Sequence, residues 1–338
     1  MTRRAAGIAA IILLAVAVSA RGQSLVDRFE SPPSSVIPNW SVEFGGDWQA
    51  TGTAAQSDTN TGWQFLLRDS VTDRDCVVEG LVRYDGPSHL QFAGPMARTT
   101  IEGGVLRTYL VKSQDNSRYG TGAFNTGYIY YYESPLVFVR LAVFGFLRPS
   151  TLIRTRMLVM DEPGAVRIMG YWDLDLDGVW DHRIAVLGSW RLQETGGVGL
   201  NGFSRCFADE WRYFDACLYA RNPDFRPGET LELVARGRPD AVYLAGSSFF
   251  NTGIPVGGGK AVPLYPDALL VLSRSSPAIF QDFTGVLNAD GDAVLRIAVP
   301  NEPALVGTVF YTAFLTLSAT NPGRVDEVSN DEQARIVG

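Results

Sequence analysis

Carboxylates recur at Asp173, Asp175, Asp177 and Asp181, with Gly178 placed between the third and the fourth. Counted from Asp173 these are positions 1, 3, 5 and 9, with the glycine at 6. Ca2+ takes about six to eight oxygen ligands at about 2.3–2.6 Å, and this spacing wraps side-chain oxygens around one centre while glycine permits the tight turn. A helical Ca2+ loop would close on a bidentate Glu at position 12, where Ile184 stands instead. The flanks are β-like, residues 166–172 before and 182–187 after. The spacing therefore predicts a Ca2+ loop joining two strands, liganded by Asp173, Asp175, Asp177, Asp181 and the carbonyl of Val179. The alternative is a solvated acidic hairpin turn. Carboxylates this close repel one another unless a cation sits among them, which favours the metal.

Other chemistry is thinner. Glycoside hydrolysis needs two carboxylates flanking the sugar bond, about 5–5.5 Å apart in retaining enzymes. Glu43 has Asp47 near it, and the adjacent Asp209 and Glu210 would point to opposite faces of a strand. Glu210 with Asp215 is the remaining pair, and a solvated turn followed by a structural acid explains it better. His89, beside Ser88, and His182, just after the acidic loop, lack the surroundings of a nucleophile and base. No catalytic residue is assigned. Large aromatics with a polar handle suit partly wet sugar-stacking sites. Trp180 inside the acidic loop, and Tyr130 and Tyr132 of the run at 128–132, are the candidate ligand-binding residues, whereas Trp48 and Trp211 read as core.

The elements that must position these groups are strands. Gly (35 residues) and Pro (18) punctuate short β-rich runs, and no run holds a helical period, so the chain reads as all-β with many turns. Residues 76–83 place Cys76, Val78 and Val82 on one face and Glu79 and Arg83 on the other. Residues 151–159 are mixed and leave the register open. The density of strands over 25–220 predicts a sandwich or jelly roll. Residues 221–228, with Pro223 and Pro227, read as the boundary, and 228–338 as a smaller immunoglobulin-sized β-sandwich. Within it Leu231, Leu233 and Ala235 face inward, residues 285–297 read as a hairpin turning at 288–292, and residues 307–317 form a long strand.

At the N-terminus Arg3 and Arg4 precede an apolar run and a small-residue end at Val18 and Ala20, the parts of a secretory signal peptide over residues 1–20. The expected product is exported to the medium or the cell surface, and no later segment reads as a membrane span. Losing Arg3 and Arg4 takes the formal charge from −7 to −9, which excludes an electrostatic nucleic-acid binder. Lys112 and Lys260 are the sole lysines, read as composition bias. Cys76, Cys206 and Cys217 permit at most one internal disulfide, and export permits that one. Cys206 and Cys217, with ten residues between them, are the favoured pair.

Several short segments carry a family likeness: Asp27, Arg28 and Phe29; Asn39 and Trp40; Gly46, Asp47 and Trp48; residues 93–98 ending in Arg98; residues 197–200; and Phe214, Asp215 and Ala216. On these, residues 25–220 resemble the concanavalin A-like jelly roll in its laminin-G-like and keto-disaccharide-hydrolase-like bacterial forms. The resemblance implies glycan binding or a spacer role, with glycosidases and lyases a minority. It also implies that an early strand lies near the closing one, which offers Cys76 with Cys217 as a second pairing. Residues 228–338 resemble a C-terminal module of secreted multidomain bacterial proteins, on residues 285–291 and 297–300. The acidic loop is similar to those of integrin-type propeller repeats, but its single copy implies no propeller. The resulting expectation is an exported, non-catalytic, Ca2+-binding protein whose partner is a glycan or cell-surface component. The alternatives are a polysaccharide-active glycosidase or lyase of the same fold, and a purely structural surface protein.

Overall fold

Alternation at period two makes a strand with one face on a core, and in the computed structural model Cys76, Val78 and Val82 are all fully buried in one cluster. The structure describes residues 25–33, 37–43, 48–57, 63–84, 91–115, 122–134, 137–188, 195–203, 206–321 and 323–338. The leader expected at 1–20, and Asp47, Ser88, His89 and Trp190, lie outside these residues. Among the described residues no helix is long and apolar enough to cross a membrane.

The chain divides into two compact units, Val26–Tyr213 and Phe214–Gly338. In the first, the strands in chain order are β1 (Leu25–Asp27), β2 (Trp40–Glu43), β3 (Trp48–Ala50), β4 (Ala55–Ser57) and β5 (Trp63–Asp73). Next come β6 (Cys76–Tyr84), β7 (Phe92–Glu102), β8 (Val105–Gln114), β9 (Phe124–Glu133) and β10 (Val137–Ser150). The set ends with β11 (Leu152–Glu162), β12 (Ala165–Asp173), β13 (His182–Gly188), β14 (Gly196–Phe203) and β15 (Cys206–Phe214). One sheet runs β13-β12-β11-β6-β15-β4-β3, with β1 also on β15, and the other runs β10-β9-β8-β7-β14-β5-β2. Their facing sides share one core that includes Trp48, Trp172 and Trp211. This is an all-β sandwich of two facing sheets.

Both outward faces also bury side chains, which is why residues 151–159 read ambiguously. Ile153, Met157 and Val159 of β11 enter the core. Arg154 and Arg156 alternate with them and are buried on the other side, Arg156 against Glu79. Arg98, closing the segment with family likeness, is structural: it is fully buried and paired with Asp161 at 2.6 Å and Asp75 at 3.0 Å.

The second unit is a smaller sandwich. One sheet orders Cys217–Ala220, Thr230–Arg236, Asp292–Ala298 and Phe280–Gln281; the other is built around Val242–Ser248 and Val309–Leu317. Leu231, Leu233 and Ala235 enter its core as the alternation predicts. Three readings are corrected. Strand Cys217–Ala220, expected to end the first domain, pairs with Thr230–Arg236, so the division falls at 213/214, upstream of 221–228. The turn at 288–292 forms, with Gly291 at φ +84° and the Asn288 side chain accepting from Asp290 and Asp292. It nevertheless links strands of different sheets: Thr284–Val286 pairs with Val242–Ser248, while Asp292–Ala298 pairs with Thr230–Arg236. A helix, Ala268–Ser275, also interrupts the all-β pattern, capped by Asp267 accepting from the Leu270 N–H.

The expected disulfide is not formed: Cys76, Cys206 and Cys217 are three buried thiols. Cys206 lies in the first unit against the Ser57 hydroxyl at 3.3 Å, and Cys217 in the second, opposite Arg236. Cys76 faces the first core, where burial, with Asp73 adding to it, pushes its thiol well above the usual range.

Candidate functional site

The acidic segment is the turn between β12 and β13, closed by the pairing of Trp172 with His182. Its backbone turns through positive φ at Leu176 (+61°) and Gly178 (+88°), the second at the glycine singled out in the sequence. Asp173 ends β12 and is buried; one carboxylate oxygen accepts the Leu176 N–H at 2.7 Å and the other the Gly178 N–H at 3.3 Å. Asp177 accepts from Val179 N–H at 2.7 Å and Asp175 from Asp177 N–H at 3.4 Å. Donor oxygens of Asp173, Asp175 and Asp177 lie within 4.8 Å of one another. Asp181 stands outside that group and accepts the Leu174 N–H at 2.7 Å, bracing the start of the loop. Val179 is held in the turn by its own N–H bond.

Burial pushes the Asp173 carboxyl up to about 7, and the charges of Asp177 and Asp181 push the same way, while the two N–H donors pull it down. Among the described residues the cation paired with it is Arg154, at 3.9 Å. A hard cation would suit these oxygens, since it removes the mutual repulsion that burial magnifies.

Trp180 does not stand clear of the loop. Its ring is half-buried, with the Arg156 guanidinium 4.5 Å from its centre and the Tyr171 ring at 5.6 Å. Arg156 in turn is ion-paired with Glu79, and Arg212 reaches the same carboxylate at 3.6 Å. The indole therefore covers a buried ion pair.

Tyr130 and Tyr132 sit on the outward face of the seven-stranded sheet, while Tyr131 turns into the core. Tyr130 is half-exposed, but Tyr132 is buried against Trp63 and Phe138, each with its ring centre at 5.0 Å, so it is not a free stacking surface. The same face holds a residue the sequence reading passed over. Lys112 on β8 is 3% exposed. Its ammonium nitrogen lies over the rings of Phe92 (3.8 Å), Trp63 (4.8 Å), Tyr130 (4.8 Å) and Tyr128 (5.2 Å). Burial lowers this amine to about 7. One signal was available, in that Lys112 is one of two lysines in a chain whose other cations are arginines. Phe92, Tyr128 and Tyr130 come from the flanking strands β7 and β9, and Trp63 from β5.

Two of the carboxylates weighed for acid–base work are held in separate ion pairs. Glu210 is paired with Arg212 and with Arg28, and Asp215, in the other unit, with Lys260 at 2.7 Å. His182 packs against Phe144 and Phe146, where burial lowers its pKa.

No known protein family matches the sequence, and no curated protein matches it. Solved structures of similar arrangement include the carbohydrate binding module CBM66 from Bacillus subtilis, at TM-score 0.38 and 16% identity over 52% of this chain and 92% of that one. A Bacillus subtilis protein of unknown function with galectin-like fold gives 0.38 and 11% over 57% and 96%. Bacillus licheniformis β-glucanase gives 0.34 and 12% over 57% and 98%. The assignment of fold rests on the two sheets themselves.

Proposed function

We propose that this is an exported, non-catalytic β-sandwich protein that binds Ca2+ through the β12–β13 turn and a glycan through its first unit. The second unit serves as spacer or attachment module. The observation that carries the metal half is the convergence of Asp173, Asp175 and Asp177 within 4.8 Å, one of them buried. Backbone N–H bonds shape the turn and hold Asp173, leaving lone pairs for a cation, with Asp181 and the Val179 carbonyl completing the set. Support for the glycan half is the outward face of the seven-stranded sheet, where Trp63, Tyr130 and Phe138 keep part of their surface in water. A glycan array probed with and without Ca2+ tests the reading. Binding of a defined oligosaccharide class, without its cleavage, is expected. Depolymerisation of a bound polysaccharide would overturn the non-catalytic reading, and absence of binding to every glycan would overturn the ligand.

A further inference from the structure

Strand register places a row of residues across the outward face: Phe65 opposite Asn201, Asn201 opposite Gly94, and Lys112 opposite Tyr128. Gly94 and Lys112 fall in register between the pairs Ala93–Ser113 and Met96–Leu110. Asn201 and Lys112 thus flank a glycine with no side chain between them. The glycine is required there, since a Cβ would lie 2.1 Å from the Val111 carbonyl oxygen. Asn201 is fully buried; its amide nitrogen donates to the carbonyls of Gly94 and Pro95 at 2.8 and 3.2 Å, which fixes its orientation. Among the described residues its side-chain oxygen has no partner. One row along, Leu110 pairs with Tyr130 and Tyr130 with the exposed Arg140.

This face therefore combines a buried amine, a buried unpartnered acceptor, a rim guanidinium and sugar-sized ring surfaces. Among the described residues its contacts to Lys112 are rings, whereas Lys260 has its own carboxylate, Asp215. Buried polar groups are nearly always satisfied, and one left open points to a missing partner. We infer that the outward face of the seven-stranded sheet is the glycan site and that it selects an acidic sugar, whose anionic group meets Lys112 while a hydroxyl donates to Asn201. This rests on the glycan-binding reading above. Arg140 steers the anion from the rim, and Trp63 and Tyr130, the half-exposed rings over the amine, stack on the sugar. The titratable and charged groups facing Lys112 are Tyr128 and Tyr130, with Arg140 beyond them. An amine held near neutrality by burial takes up a proton when an anion arrives, because the opposite charge restores the charged form.

The test is calorimetric titration of the full-length protein at pH 8 with trigalacturonate, a sulfated trisaccharide and cellotriose, in buffers of different ionisation enthalpy. Preference for an anionic probe, with up to one proton taken up per site, is expected, and the uptake should vanish near pH 5.5. Comparison of the two anionic probes reports whether carboxylate or sulfate is the better group. Lys112→Met should weaken the anionic probe at least about tenfold and abolish the proton uptake. Arg140→Gln, at an exposed position, should weaken it less and leave the uptake intact. Equal binding of cellotriose and trigalacturonate, unaffected by Lys112→Met, would overturn the acidic-sugar inference and leave the glycan reading standing. Failure of all three probes alongside an empty glycan array would remove both.

Discussion

The two outward faces of the first sandwich bury charge in opposite ways. On the eight-stranded sheet the buried charges come in matched sets, Glu79 with Arg156 and Arg212, and Arg154 near Asp173. On the seven-stranded sheet Lys112 is buried among rings. A matched set offsets its own desolvation and requires no ligand. An unmatched charge does not, and tends to neutralise or await a partner. The acidic turn at the end of the eight-stranded sheet lies between these cases, its carboxylates holding backbone N–H groups but outnumbering the nearby cations. The comparison separates charge that builds the fold from charge that is available to a ligand.

Breaking the matched set should have the largest effect. Glu79→Ala leaves Arg156 and Arg212 buried without that carboxylate and should cost about 3–5 kcal/mol in urea unfolding. A loss within the range of an ordinary surface substitution would show that the set is not desolvated. Next comes the metal. Ca2+ at about 100 times its dissociation constant should stabilise the wild type by about 2.7 kcal/mol. Asp175→Ala, at an exposed position, should remove most of that increment and leave the melting temperature without Ca2+ nearly unchanged or slightly higher. Mg2+ should substitute poorly, because it demands a tighter octahedron and holds its water.

The smallest effect sharpens the unmatched side. The Lys112 amine is lowered to about 7 from its ordinary 10.5. Between those values the unfolded chain binds more protons than the folded one, so stability rises with pH across that window. The penalty is fully present below pH 7 and fades as pH approaches 10.5. Lys112→Met should therefore stabilise the unliganded protein at pH 6, by on the order of 1–3 kcal/mol, and by progressively less from pH 8 to 10. A pH-independent difference would mean that the amine is not desolvated in solution.

These features differ in how far they can be read before folding. The acidic turn is local: the glycine at 178 and the alternate aspartates are contiguous, and Gly178 has the positive φ its type suggests. The face formed by Cys76, Val78 and Val82 is legible for the same reason. The Lys112 cage draws Phe92, Tyr128 and Tyr130 from the flanking strands β7 and β9 at a register the sequence does not fix, and Trp63 from β5, which only the sheet order brings near. Alternation gives the face of Tyr132 but not the Trp63 and Phe138 rings that cover it. Turn chemistry at 288–292 was read correctly and its partner strands were not, since an Asp-Gly turn serves a hairpin and a crossing between sheets equally well. The cysteine pairing failed because sequence separation says nothing of the unit to which a strand belongs.

Calorimetric titration of the wild-type protein with Ca2+ tests the proposed metal turn most directly. One site should saturate, with its heat lost in Asp175→Ala and largely absent with Mg2+. No heat and no rise in melting temperature at millimolar Ca2+ would contradict the account and return residues 173–181 to a solvated acidic turn.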